Sequence, residues 1–421
     1  MYEKTKLKNG LRIITVPMKN TRAVTVLVLV GAGSKYESEK TNGLSHFIEH
    51  MMFKGTKKRS TPLKVVETLD RVGGVYNAFT GKEYTGYWAK VDKKHLDLAL
   101  DWVSDIFLNA KIEQKDINRE RGVILEEMNM YLDNPLLYVG DLWEKLLYGN
   151  QPAGWLIIGS RKNILGFNRK DFLDYMGKHY SSKNTIVCVA GNIDSKKVSL
   201  KIKNSFKSIK RDNFIEKKKV VERQKNPKSL VHFKKTDQTH LCLGVRGFNL
   251  FEKDRFAQII MAKILGGFMS SRLFTSIREK RGLAYYVRTL SECSTDTGYL
   301  VTSSGVGHSN VEKVIKLILK EYVNMKKRKI SKEELKKAKD NIRGTMTLSL
   351  ESSDSKASFY ANQELLTGKI SELEDKFRKL EAVTASDIQR VANEIFKPEK
   401  LNLALIGPFK DKERFNKLLK I

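Results

Sequence analysis

The sequence predicts an α+β fold made of two homologous domains, each a mainly antiparallel sheet packed with helices. Three observations carry this. The length of 421 residues exceeds what one hydrophobic core usually supports. Strand-like and helix-like periods alternate without a strict βαβ rhythm. The order of elements in the first half also recurs in the second, after a charged stretch without apolar periodicity. With 41% hydrophobic and 9% aromatic residues, the chain has the material for real cores and none of the bias of disorder.

The elements follow in order. Asn9-Gly10 is a turn signal, so the chain opens in hairpin-like strands: Leu11 to Val16, then the β-branched run Ala23 to Val30, which ends at Gly31-Ala32-Gly33. From Asn42 the period changes, and Leu44, Phe47, Ile48, Met51 and Met52 recur at helical spacing as far as Gly55. Thr61 as N-cap with Pro62 behind it starts a second helix, which Gly73-Gly74 stops before a strand-like stretch, Val75 to Val91. A long helix spans Gln114 to Tyr131. Thr185 to Gly191 reads as strand and Asp194 to Ile209 as helix.

Between Lys207 and Lys228 apolar periodicity is lost, which sets the domains at 1–210 and 229–421 with a linker at 211–228. In the second domain a strand, Thr239 to Val245, again precedes a helix, Arg255 to Leu265, closed by Gly266-Gly267. Matching the glycines that close the two helices puts Ala257, Ile260 and Met261 where the first copy has His46, Glu49 and His50. The second copy therefore lacks the polar set.

Composition narrows the function. The net charge of +30 comes from 57 Lys and 21 Arg against 48 acidic residues. Lysine without interleaved aromatics, as in Lys217-Lys218-Lys219, is the composition of a solvated surface rather than of a nucleic-acid face. Three cysteines without CxxC spacing argue against a disulfide framework and fit a reducing compartment. A charged N-terminus and the lack of a long apolar run point to a cytoplasmic protein that uses no membrane.

The chemistry sits in His46-Phe47-Ile48-Glu49-His50. Residues four apart on a helix stand one turn above each other, so both imidazoles can reach one ion. Glu49 shares that face and can act as general base on a water beside the metal without being a ligand itself. This is the HxxEH order of inverted zincins. Two histidines and a glutamate among Leu44, Phe47, Ile48 and Met51 are costly unless paired or ligated. Catalytic zinc needs a third protein ligand, and the acidic helix at Asn118 to Tyr131 offers Glu120 and Glu127, two turns apart on one face. Spacing alone leaves Glu127 between ligand and solvated helix face.

The run Gly43-Leu-Ser-His-Phe-Ile-Glu-His-Met-Met-Phe-Lys-Gly-Thr56, followed by Glu127 in Glu-Arg-Gly-Val-Ile-Leu-Glu-Glu-Met, resembles the pitrilysin/insulinase family of zinc metallopeptidases. The likeness is to its short two-domain branch, related to the mitochondrial processing peptidase beta subunit. The resemblance implies one zinc per chain held by His46, His50 and Glu127, with Glu49 as base and Glu120 as a supporting acid. It implies that Asn77, Ala78 and Phe79, in Gly73-Gly-Val-Tyr-Asn-Ala-Phe-Thr80, lie on an edge strand that pairs with a peptide substrate. In Ser276-Ile-Arg-Glu-Lys-Arg-Gly-Leu-Ala-Tyr285 it implies Arg278 and Tyr285 as a substrate clamp, contributed across a homodimer to the partner's zinc site. The activity implied is that of an endopeptidase acting on short or unfolded peptides in a chamber. A non-catalytic scaffold or partner subunit of the same fold is the alternative, which bound zinc would separate from it.

Overall fold

The structure, a computed structural model, describes residues 2–212 and 214–421; Met1 and Asn213 lie outside them. The first sheet holds β1 (Glu3–Lys6), β2 (Arg12–Pro17), β3 (Ala23–Val30), β4 (Val75–Thr80), β5 (Thr85–Asp92) and β6 (Thr185–Gly191) in the order β1-β2-β6-β3-β5-β4. The Asn9-Gly10 turn does close a hairpin, between β1 and β2. The next strand does not continue it: β6 lies between β2 and β3, parallel to the first and antiparallel to the second. Every residue of β6 is buried, and an unbroken apolar run of that kind belongs at a sheet centre. The stretch Val75 to Val91 is likewise two strands, split by a turn in which Gly81 N–H donates to the Tyr84 carbonyl at 2.8 Å. That turn leaves β4 at the open edge of the sheet.

The second sheet holds β7 (Lys228–Phe233), β8 (Thr239–Gly247), β9 (Ala284–Cys293), β10 (Gly298–Val306) and β11 (Leu401–Gly407) in the order β7-β11-β8-β10-β9. Strand for strand this is β2-β6-β3-β5-β4 again, with a parallel pair in the matching place. The expected mainly antiparallel, duplicated α+β architecture is thus present.

The helices that bear on the argument are α1 (Leu44–Met51), α2 (Gln114–Asp133), α3 (Pro135–Tyr148), α4 (Arg255–Gly266) and α5 (Ser353–Thr367). Two of them correct the contiguous boundaries 1–210 and 229–421. Helix α3 belongs to the first half in sequence, yet Val139, Leu142, Trp143 and Leu147 share a core with Cys242, Val301, Ala404 and Ile406 of the second sheet. Helix α5 belongs to the second half, yet Ala357, Tyr360 and Ala361 share a core with Ile14, Val16, Leu27, Leu29, Ile186 and Cys188 of the first. The first unit therefore comprises residues 1–128, 156–218 and 347–372, and the second comprises 129–155, 219–346 and 373–421. The reason is that each sheet is apolar on both faces. Leu27 and Leu29 face α5, and the alternate residues Val26, Val28 and Val30 face the other side, where the helix Leu96–Asn109 packs.

A fragment ending at residue 210 would uncover the apolar face of the first sheet that α5 covers, an exposed patch of the kind that drives aggregation. It is expected to be insoluble or multimeric by size-exclusion chromatography. A monomeric fragment with a cooperative urea transition would contradict the exchange. Among the described residues no helix is long and apolar enough to cross a membrane.

Candidate metal centre

Helix α1 is held rigidly on its apolar side. Leu44, Phe47, Ile48 and Met51 are fully buried, at the i, i+3, i+4, i+7 spacing of one face, and the Phe47 ring meets that of Phe172 edge to face at 4.9 Å. His46, Glu49 and His50 are left on the partly exposed side. The start of the helix is fixed by a residue the sequence did not single out. The buried Glu37 carboxylate accepts from Gly43 N–H at 2.9 Å, Ser45 N–H at 2.8 Å and the Asn42 amide at 3.0 Å. It so satisfies amides that a helix start leaves without partners. Gly43 needs its glycine: its φ is 101° and a Cβ would lie 2.7 Å from the Ile158 carbonyl oxygen.

Helix α2 brings Glu127 to both histidines. Its Oε1 lies 3.6 Å from His46 Nε2 and its Oε2 lies 3.4 Å from His50 Nε2; one donor atom from each of the three residues falls within 4.8 Å of the others. These separations are long for hydrogen bonds. Each, taken from its own carboxylate oxygen, is close to the separation of about 3.3 Å that bonds of about 2.0–2.1 Å set between ligand atoms of tetrahedral zinc. The donor set of two imidazoles and a carboxylate fits zinc, with a fourth position for water or substrate.

The other ring nitrogens differ. His50 Nδ1 is 2.9 Å from Glu120 Oε1, one helical turn pair before Glu127, whereas His46 Nδ1 is buried and has no hydrogen-bond partner among the described residues. The local field is that of a cation site. Burial disfavours a charged His50, but its hydrogen bond to Glu120, the adjacent Glu127 carboxylate and the charges of both outweigh this and raise it to about 9. The His46 and His50 imidazoles hold Glu127 down to about 2 against its burial. For Glu120, burial pushes upward, and His50 and Lys54 prevail and keep it below the usual carboxylate range.

Glu49 is not among the converging donors. Its Oε2 accepts from Thr80 Oγ1 at 2.6 Å, which ties the side chain to the end of β4. Asn77, Ala78 and Phe79 lie on that same edge strand, and Ala78 N–H donates to the Asn77 side-chain oxygen at 2.8 Å. That amide is therefore not engaged with β5. Arg278 and Tyr285 belong to the second unit and form a pair of their own. Arg278 lies in the π-helical turn Phe274–Glu279, with its guanidinium carbon 5.3 Å from the centre of the Tyr285 ring. Tyr285 is the second residue of β9, the edge strand equivalent to β4, and is 77% exposed.

Thr80, Lys54 and Glu37 touch this machinery and were not read as functional from sequence. Thr80 and Lys54 stand inside the two motif runs, so their neighbours were the available signal; Glu37 carried none.

The family model described as Insulinase (Peptidase family M16) matches residues 12–160, and that described as Peptidase M16 inactive domain matches residues 166–342. An uncharacterized zinc protease of Bacillus subtilis is 35% identical over 410 residues, covering 97% of this chain and 98% of its own length. One of Rickettsia felis is 34% identical, covering 96% of this chain and 97% of its own. A crystal structure of a protease from Helicobacter pylori superposes with a TM-score of 0.90 at 29% identity, over 97% of this chain and 99% of that one.

Proposed function

We propose that this chain, which belongs to the insulinase family of peptidases (peptidase family M16), is a zinc-dependent endopeptidase for short or unfolded peptides. The observation that carries the reading is the convergence of His46, His50 and Glu127 at tetrahedral-edge separations, with Glu49 beside them on α1 and outside the ligand set. When bound, zinc supplies polarisation of the scissile carbonyl and a lowered pKa for the attacking water.

The chain's own residues do the rest. Glu49 accepts the proton from the water as its oxygen bonds to the carbonyl carbon, and returns it to the amine as the C–N bond breaks. Thr80 occupies one Glu49 oxygen, so the other is the one aimed at the water. Glu120 accepts from His50 Nδ1, which leaves Nε2 as the nitrogen that faces the metal position. An extended peptide adds to the open edge of β4, where its carbonyl replaces the Asn77 side chain on Ala78 N–H. Main-chain pairing of this kind reads extension rather than sequence, which favours unfolded segments over folded proteins. Arg278 and Tyr285 clamp the substrate from a second copy of the chain, so that a homodimer encloses each site in a chamber.

Stripping the metal with a chelator is expected to abolish hydrolysis of a quenched fluorescent peptide of about ten residues, a length that spans the strand edge, and zinc is expected to restore it. Hydrolysis that persists in the zinc-free protein would end this reading. An inactive wild type that binds no zinc would leave the scaffold role.

A further inference from the structure

We infer that Lys54 is a positioning residue of the metal centre: its ammonium holds the Glu120 carboxylate in the orientation that fixes the His50 ring. The inference rests on the zinc reading above and extends it to a residue beyond the ligands and their acid.

With 57 lysines in the chain, the ordinary expectation for any one is a solvated surface charge. Lys54 departs from it in three ways. Its Nζ lies 2.6 Å from Glu120 Oε2 while the other Glu120 oxygen takes His50 Nδ1 at 2.9 Å, so each carboxylate oxygen has one partner. Its side chain is 25% exposed and that of Glu120 only 6%, so the pair is shielded well beyond a surface ion pair. Its backbone is pinned on both sides, too. Lys54 N–H closes the end of α1 on the Met51 carbonyl at 3.1 Å, and the Gly55 carbonyl accepts from Lys111 N–H at 3.0 Å. Gly55 has φ 123°, with the Arg59 and Ser60 carbonyl oxygens 3.1 Å from where a Cβ would stand. The next residue, Thr56, is buried and donates to Asp105 at 2.7 Å. A lysine stem is flexible; here its root is not.

The consequence falls on zinc. A buried carboxylate oxygen that loses its partner costs free energy, and Glu120 can recover it by rotating, which breaks the bond to His50 Nδ1. The His50 ring is then free to turn about its own axis, and Nε2 leaves the point it shares with His46 and Glu127. His46 offers no compensation, because its Nδ1 has no protein partner among the described residues. Polar control of ring orientation in this site therefore runs through Lys54, Glu120 and His50.

The test is zinc affinity, measured by competition with a chromogenic chelator for the full-length wild type, Lys54→Met and Lys54→Arg, together with thermal unfolding of each zinc-free protein. Lys54→Met is expected to bind zinc about 10- to 100-fold more weakly, the usual cost of losing a group that orients a ligand. Lys54→Arg, which keeps the charge, recovers most of that loss. Should Lys54→Met fail to fold, Lys54→Gln, which keeps much of the stem, is read in its place. Wild-type affinity in the Met or Gln variant overturns the inference, as does a fall in zinc-free stability with affinity unchanged. A wild type that binds no zinc removes the metal reading itself, and this inference with it.

Discussion

Glu49→Gln is expected to lower kcat for peptide hydrolysis by about a thousandfold or more, near the upper range for a general base, and to leave the zinc content at one per chain. The two halves of that result have separate causes. Glutamine has the size of glutamate, and its carbonyl oxygen can still accept from Thr80 Oγ1, which now bonds Glu49 Oε2, so the side chain keeps its place. It cannot take a proton at neutral pH, so attack by water loses its base and the leaving amine loses its acid. Zinc stays because the donors that converge are His46, His50 and Glu127. Titrating metal content beside kcat distinguishes this from damage to the site. If the variant kept about a tenth of wild-type kcat, a change too small for loss of a general base, the proton would be moving by another route.

How much of this could be read from the sequence depends on how local the information is. Helix α1 was legible because its pattern is local: four apolar residues on one face, three costly polar ones on the other, and glycines at both ends. Glu127 was not local. Seven-residue spacing from Glu120 puts both on one face of α2, but only the resemblance, and then the separations to both imidazoles, made it a candidate ligand. Glu37 was invisible. It caps α1 from six residues upstream of Gly43, and no spacing rule connects a loop carboxylate to a helix start at that distance. The exchange of α3 and α5 was invisible for another reason. An amphipathic helix announces that one face is buried, not which sheet buries it. The same holds for β6, whose apolar run marks it as central without naming its neighbours, β2 and β3. Pairing and partnership are properties of the assembled chain.

The second large effect concerns Arg278 and Tyr285, which the structure groups with each other at the edge of the second sheet, the Tyr285 ring left 77% exposed. An exposed aromatic under a guanidinium is an unusual expense for a surface strand, and we propose that a substrate held at the partner's zinc site covers it. Tyr285→Phe keeps the ring and removes the hydroxyl; we expect that hydroxyl to donate to the scissile carbonyl of the clamped substrate, and its loss to lower activity about a hundredfold. Mixing it with Glu49→Gln then decides which copy supplies the clamp. In a symmetric dimer with free exchange, half of the dimers are mixed, and each mixed dimer has one site with Glu49 from one chain and Tyr285 from the other. Activity is expected to return to about a quarter of wild type, far above either parent. If clamp and base came from the same chain, each mixed dimer would contain only two crippled sites and nothing would return. Recovery also requires subunit exchange, so the mixture is equilibrated until differently tagged copies co-purify before activity is read. Co-purification without recovery would place Tyr285 with the zinc of its own chain, and failure of differently tagged copies to co-purify even when co-expressed in one cell would refute the homodimer directly.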